Sequence, residues 1–452
     1  MGERLVVIGG TAAGLSAASK AKRTCSDMDI TVYEKTGFVS YGSCGLPYFV
    51  GDMIPKPEDL VSLTVENLRD KRGIHAHINH EVTEIDRQQR LVKGINLNTG
   101  ATFETPYDKL VIATGAVPIR PPITGIEAQG VHILRTVEHG IDIKEAIAKG
   151  AKRVVVVGGG FIGLEMAEQL TNAGVKVVLV EAMPRLLPVL PETYASIIQK
   201  ELEGNGVEVI LNERVAAIES EEGRVKGVCL SDGRRFEAEI VLLSTGAAPN
   251  SKLAADCGLE LGLKGAIVVD DAMHTSDPNI FACGDCVQMR NIITGKTCYV
   301  PLGTTANKQG RVAGAAIAGE KASFPGVLGS QVTKIFDLYV AATGLSLNEA
   351  LDAGYDAVSS SIMKGDRASY YPGSADNYIT LVFERKGGRL LGAQGVGSFS
   401  VAGRMNVFVA AITAGMTVEQ LNDLDLVYSP SVAPVYDPIL IAASQALKKV
   451  TP

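Results

Sequence analysis

Cys44 is the residue best placed for chemistry. It stands in Ser40-Tyr-Gly-Ser-Cys-Gly-Leu-Pro-Tyr-Phe49, where small residues flank the thiol and a proline follows it. A thiol held in such a turn beside a helix N-terminus is expected to have a lowered pKa and to react as the thiolate. Five of the other cysteines, Cys25, Cys229, Cys257, Cys283 and Cys298, read as inert small hydrophobes. Seven scattered cysteines in a long chain point to reduced thiols, not to a disulfide framework. His75-Ala-His77-x-x-His80 invites a metal reading. On a strand, however, His75 and His77 share a face, His80 points the other way, and no cysteine or acid completes a site. An exposed strand without metal is expected there.

The glycines carry a second kind of chemistry. Gly158-x-Gly160-x-x-Gly163 follows an apolar run and precedes a helical stretch, and the acid Glu181 comes about 20 residues later. In this pattern the first glycine makes the tight turn, the second admits a pyrophosphate to the backbone, and the third lets helix and strand pack closely. Glu181 would accept from a ribose 2′-hydroxyl and repel a 2′-phosphate, so NADH is expected over NADPH. Arg185, close by in sequence, keeps NADPH possible. An earlier copy departs from the rule: Gly9, Gly10 and Gly14 are present, but Thr11 stands in the second glycine's place. Glu34, again about 20 residues on, and the turn Cys283-Gly284-Asp285 point that copy towards FAD. Asp285 could hold ribityl hydroxyls, and a helix starting near Thr305-Ala306 would aim its positive end at the flavin N1–C2=O edge. Cys283 and Cys286 form C-x-x-C, but the Gly284-Asp285 pair between them is better used on the flavin than in redox exchange.

These residues need a framework. At 452 residues the chain is too long for one core. Arg4 to Gly10 reads as strand and turn, Gly14 to Arg23 as an Ala-rich helix, and Ile30 to Glu34 as a strand. Arg153 to Gly158, Gly163 to Asn172 and Val175 to Glu181 repeat that order, each a β-turn-α-β unit of a doubly wound sheet. Leu110 to Gly115 and Val241 to Gly246 end the two halves alike. The expected fold is therefore α/β, with two doubly wound dinucleotide-binding domains, the second inserted in the first, and a C-terminal α+β domain. The expected boundaries are 1–119 with 248–325, then 120–247, then 326–452. Residues are 46% hydrophobic and 21% charged, ordinary for a globular protein, and the net charge of −7 disfavours a nucleic-acid or anionic-membrane partner. No stretch matches a signal peptide or a bilayer span, so the cytosol is the expected compartment.

Four stretches taken together carry a resemblance: Val7 to Gly14, Ser40-x-x-x-Cys44-Gly-Leu-Pro-Tyr, Gly158-Gly-Gly-Phe-Ile-Gly-Leu-Glu165, and Thr275 to Asp285. Over its whole length the chain resembles the pyridine nucleotide-disulfide oxidoreductases. It is most similar to the single-cysteine branch of CoA-disulfide reductases, NADH oxidases, NADH peroxidases, and persulfide and polysulfide reductases. The second cysteine that two-cysteine reductases carry five positions on is Phe49 here, and their C-terminal histidine is missing, since the last histidine is His274. The histidine of the peroxide-handling branches is replaced by Ala12 or Ala13, which disfavours a peroxidase. Tyr370-Tyr371-Pro-Gly and Tyr428-Ser-Pro match tyrosine contexts of the CoA-disulfide branch, where those tyrosines come from the partner subunit of a homodimer.

The resemblance implies that NADH reduces FAD, and that the electrons then split a mixed disulfide between Cys44 and a bound thiol. Tyr371 and Tyr428 would assist the leaving thiolate, and CoA is the expected thiol, as substrate or as mixed disulfide. Cofactor-binding positions implied are Gly9, Gly10, Ala13, Gly14, Glu34, Lys35, Ser40, Ala113, Thr114, Gly115, Gly158, Gly160, Phe161, Ile162, Gly163, Glu165, Glu181, Gly246, Gly284, Asp285, Thr305 and Ala306. Arg23, Ser40, Ser43, Lys308, Tyr371 and Tyr428 are the expected substrate contacts, with Lys20 another cation in reach of CoA phosphates. Two alternatives stand beside this reading: an NADH oxidase that cycles Cys44 through sulfenic acid, and an electron-transfer or redox-sensing partner protein.

Overall fold

A computed structural model describes residues 2–451. Its first sheet is parallel throughout, in the spatial order 280–282, 109–112, 4–8, 29–33, 74–77. The apolar runs that form it are buried on both faces, as parallel sheets require: Leu5, Val7, Ile30, Leu110 and Ile280 have no exposed surface. Helices Ala12–Thr24 and Gly303–Ile317 pack on one another across this unit. A Cβ on Gly310 would lie 2.2 Å from the Ala13 carbonyl oxygen, and one on Gly314 would lie 2.3 Å from that of Ala17. Small residues set this spacing.

The second sheet is also parallel, in the order 208–210, 176–180, 153–157, 240–243, 131–133. Its helix runs Phe161–Asn172, two residues earlier than the glycine spacing suggests. Both acids lie one residue beyond a strand, Glu34 after Asp29–Tyr33 and Glu181 after Lys176–Val180. The chain enters and leaves this second unit side by side, because Ala116–Pro118 pairs antiparallel with Ala247–Pro249. The first sheet takes its strand Ile280–Ala282 only after that excursion. Each unit also carries a three-stranded antiparallel sheet.

The C-terminal part is a five-stranded antiparallel sheet in the order 331–335, 338–344, 390–397, 376–384, 357–365, with helices Ser400–Thr413 and Pro438–Leu447 packed on it. The helix that follows Cys44, Leu46–Val50, buries Leu46, Phe49 and Val50 in a core shared with the second unit and with Ile335, Phe336 and Val340 of the C-terminal sheet. Cys44 therefore sits where the three parts of the chain meet. The fold is mixed α/β, and no helix among the described residues is long and apolar enough to cross a membrane.

Candidate active site

The two glycine turns are near duplicates. Gly9 and Gly158 adopt φ of 111° and 110°, a backbone open to glycine and costly to other residues. A Cβ on Gly14 would lie 1.9 Å from the Gly9 carbonyl oxygen, and one on Gly163 2.0 Å from that of Gly158. The fold itself forbids side chains at these places. Gly160 differs, because a Cβ there meets nothing within 4 Å. The protein leaves that space open, and a dinucleotide pyrophosphate approaching the backbone would use it.

The acids behave alike. Glu34 accepts from the Gly10 N–H at 2.7 Å and the Thr36 N–H at 2.9 Å; Glu181 accepts from the Gly159 N–H at 2.6 Å and the Met183 N–H at 2.7 Å. Each carboxylate is fixed at the mouth of its glycine turn with lone pairs left over for ribose hydroxyls. Helices Ala12–Thr24, Phe161–Asn172 and Gly303–Ile317 begin without a side-chain cap and without an acid in the first turn. Helices 65–72, 137–148 and 438–447 are capped by Thr64, Thr136 and Asp437, whereas Ser400–Thr413, away from the glycine turns, also begins without a cap. Three uncapped positive ends suit the phosphates and the flavin edge of FAD and a nicotinamide dinucleotide. Gln309 supplies a further sign: fully buried, it accepts the Gly284 N–H at 2.9 Å, while its Nε2 finds no protein partner. The residues present fit both dinucleotides.

Other expected cofactor positions fall around these turns. Ser40, at a left-handed φ of 53°, donates its N–H to the Gly10 carbonyl and so ties the Cys44 loop to the first turn. The Thr114 hydroxyl donates to the Asn250 carbonyl beside Gly115, and Gly246 lies in the turn after the matching strand Ile240–Leu243 of the second sheet. Ala13, Thr305 and Ala306 are buried, Ala113 lies at the end of its strand, and Ile162 is half exposed at the helix start beside Phe161. Lys35 is exposed and paired with Glu81 at 2.7 Å.

Cys44 is solvent-accessible in a short turn, Ser43–Gly45. Its thiol pKa is raised, against the expectation of a thiolate. Burial among protein atoms is the main cause, followed by the carboxylates of Glu165 and Asp285, while a Ser43 hydrogen bond and Arg135 act the other way. The helix after it has only five residues, too short to offset two carboxylates. Glu165 accepts from the Thr333 hydroxyl at 2.7 Å, and its own carboxyl is raised by burial. Asp285 accepts from Arg135 at 3.0 Å, and Tyr299 donates to its carbonyl at 2.8 Å. Tyr48 is pushed up to about 12 by burial and by Glu165 and Glu168. Arg135 and Gln309 escape a sequence reading because no motif marks them, and Tyr48, though inside the Cys44 motif, is given no role by it.

The remaining expected residues are dispersed. Arg23 and Lys308 are exposed, on the last turn of helix Ala12–Thr24 and the second turn of Gly303–Ile317. Lys20 is held by Glu320 at 2.6 Å. Tyr371 and Tyr428 lie on exposed loops of the C-terminal part, and the hydroxyl near Tyr428 is that of Tyr370, at 3.4 Å. His80 does not point away from His77: the ring centroids are 5.3 Å apart, because His80 starts the next strand. Its ring nitrogens lie beside the Ile78 carbonyl and Asn96. No group of metal-ligating side chains occurs among the described residues.

This geometry agrees with comparisons to known proteins. The family model for pyridine nucleotide-disulphide oxidoreductases matches residues 3–310, and the model for the dimerisation domain of that family matches residues 330–438. An NAD(P)H coenzyme A polysulfide/persulfide reductase of Pyrococcus horikoshii is 38% identical, the alignment covering 98% of each chain. An NADH oxidase of Methanocaldococcus jannaschii is 38% identical over 99% of each. The solved structure of an NAD-dependent persulfide reductase from A. fulgidus superposes with a TM-score of 0.95 at 42% identity, covering 99% of this chain and 83% of that one. With twin glycine turns, an accessible cysteine between them and a matching dimerisation domain, the chain belongs to the pyridine nucleotide-disulphide oxidoreductase family.

Proposed function

We propose that this protein is an FAD-dependent NAD(P)H oxidoreductase that reduces a disulfide, persulfide or polysulfide through Cys44, with CoA persulfide or CoA disulfide the best-fitting substrate. One observation carries the reading. Cys44 is the accessible thiol at the junction, while the place of a second redox cysteine is taken by Phe49, 2% exposed in the shared core. The substrate must then bring the second sulfur. Similarity to the coenzyme A persulfide and polysulfide reductase supports CoA as its carrier.

FAD, when bound, supplies the two-electron relay between nicotinamide and sulfur. We place it on residues 1–119 and 248–325, the nicotinamide dinucleotide on 120–247, and the dimer contact on 326–452. Glu34 and Glu181 orient the riboses, and Gly160 leaves room for pyrophosphate. Cys44, once deprotonated, attacks the sulfane sulfur's neighbour or a disulfide sulfur, forming a mixed disulfide and expelling hydrosulfide or thiolate. An electron pair then cleaves that mixed disulfide and restores Cys44. Tyr371 and Tyr428, contributed across the dimer, donate hydrogen bonds to the departing thiolate. An enzyme that works through a free thiol suits the reducing cytosol.

Replacing Cys44 by Ser tests the reading. Flavin reduction by NADH should persist, and reduction of CoA persulfide should vanish; retained sulfur reduction would exclude Cys44. Intact-mass measurement should also find a CoA-sized adduct on Cys44 of the isolated protein. The similarity to an NADH oxidase favours a second reading, in which Cys44 cycles through sulfenic acid. Oxygen consumption without added thiol and without peroxide release would select it.

A further inference from the structure

Helix Ser400–Thr413 carries one charged residue, Arg404, into the C-terminal core. Its side chain is 8% exposed, and that of its partner Asp437 is 9% exposed. Nε of Arg404 donates to both Asp437 oxygens at 3.0 and 3.1 Å; Nη2 donates to Asp437 at 2.7 Å and to the Asp366 carbonyl at 2.9 Å. Nη1 reaches the Ser400 hydroxyl.

Both ends of this fork hold loops that bear the tyrosines. Asp366 opens the loop that contains Tyr370 and Tyr371. Its N–H donates to the Ala375 carbonyl at 2.9 Å, and its carboxylate accepts from the Ala375 N–H at 3.1 Å and the Ser398 hydroxyl at 2.9 Å. Asp437 closes the segment that contains Tyr428 and caps helix Pro438–Leu447 through the Ile439 N–H at 2.9 Å. The two loops touch through the Ala368 N–H and the Pro430 carbonyl at 3.2 Å. Their tips have little packing of their own, with Tyr370 75%, Tyr371 40% and Tyr428 49% exposed. Their bases must fix them. A hydrophobic pair would hold this core about as well as a buried ion pair. Only a forked, multi-donor cation reaches a carbonyl of one loop and a carboxylate of the other at once.

We propose that Arg404 is a positioning residue, whose guanidinium fixes the Tyr371 and Tyr428 loops relative to one another so that both hydroxyls meet the sulfur substrate. The inference rests on the role given to those tyrosines above.

The test uses the FAD-loaded dimer, with Arg404→Lys, which keeps the charge and loses the fork. Asp437→Asn, which keeps an oxygen for the helix cap, serves should the lysine variant fail to fold. Trypsin cleavage after Arg367, mapped by mass, reads the anchoring of the first loop and should quicken about tenfold or more, since local opening governs proteolysis. In rapid mixing the sulfur step should slow about 10²-fold, the usual scale for a displaced catalytic group, with flavin reduction by NADH unchanged. Adding Tyr371→Phe and Tyr428→Phe to Arg404→Lys should then cost little more. Three outcomes would overturn the role of Arg404 and leave the tyrosines standing: an unchanged sulfur step in the lysine and asparagine variants, equal slowing of both steps, or a full additional loss from the Phe changes. If the Phe changes alone leave the wild-type sulfur step untouched, the tyrosine reading fails first, and Arg404 has nothing to position.

Discussion

Glu181 sets the nucleotide preference in this reading, and the size of its effect can be worked out. Its carboxylate is held by two backbone N–H groups at 2.6 and 2.7 Å, so it cannot swing away from a ribose at the mouth of the second glycine turn. Two unit charges roughly 4 Å apart interact by about 1 kcal/mol in water and about 4 kcal/mol near a protein surface. Glu181 is half-buried, so about 2 kcal/mol per unit charge is a middle value. A 2′-phosphate carries about 1.5 to 2 negative charges, which brings the penalty to about 3–4 kcal/mol, or about 10²- to 10³-fold against NADPH. Arg185, the cation that could offset this, is half-buried and donates to the Pro188 carbonyl. Glu181→Ala combined with Met183→Arg should erase most of that preference. The change also removes two charge-assisted hydrogen bonds, each contributing about 1.5–3 kcal/mol, so absolute rates will fall with stability. The ratio of kcat/KM for flavin reduction by NADPH and NADH cancels that loss. It should rise at least about 30-fold, and less at high salt. A wild type that prefers NADPH, or a ratio unmoved in the variant, would refute the argument.

Further outcomes are expected from the same geometry. The raised Cys44 thiol means that the neutral form prevails at neutral pH; alkylation by iodoacetamide should climb with pH through and beyond the ordinary thiol range near 8.5, and Glu165→Gln should shift the climb to lower pH. A plateau below pH 7 in the wild type would contradict the sign. Tyr371→Phe with Tyr428→Phe should slow the sulfur half-reaction about 10²- to 10⁴-fold and leave flavin reduction nearly unchanged, as rapid-mixing absorbance can show. Gly160→Ala should leave thermal unfolding of the apoprotein unchanged and weaken NADH binding, because its Cβ meets no protein atom within 4 Å. Gly163→Ala should destabilise the fold itself, its Cβ falling 2.0 Å from the Gly158 carbonyl oxygen; equal melting of the two variants would falsify the distinction.

The doubly wound units are legible in the sequence because their signals are local. A glycine turn, the helix after it and an acid at the next strand end lie within about 30 residues, and each is dictated by backbone sterics or by phosphate geometry. Even the departure at Thr11 is readable, since only the first and third glycines are demanded by the chain's own atoms. What stays hidden depends on residues brought together from far apart. Arg135 meets Asp285 across 150 positions, and Glu165 approaches Cys44 from the other dinucleotide unit. The thiolate expectation failed for that reason: sequence shows a turn before a helix, but not the helix's five-residue length or the carboxylates that surround the thiol. Likewise the sequence offers Tyr370 and Tyr371 side by side, and only the loop geometry places the Tyr370 hydroxyl near Tyr428.

The raised thiol and the exposed tyrosines have one physical consequence in common. A neutral Cys44 is a poor nucleophile, and a thiol near Glu165 and Asp285 becomes less able to ionise as water is excluded, since screening of those carboxylates weakens. Ser43 and Arg135 oppose that rise from within the chain, and further donors or cations brought to the junction would favour the thiolate. The C-terminal part has hydroxyl donors to give: Tyr370, Tyr371, Tyr428 and Tyr436 are exposed, as are Phe399, Val427, Val432 and Val435. Large exposed apolar side chains mark interaction surfaces, and these lie in the part of the chain that matches a dimerisation domain. Burying such residues against a second copy would remove apolar surface from water and would add tyrosine hydroxyls to a sulfur site whose own thiol is held neutral. If Tyr371 and Tyr428 act across the dimer as proposed, dimer formation and catalytic competence are one event, and a variant that stays monomeric should lose the sulfur step while keeping flavin reduction.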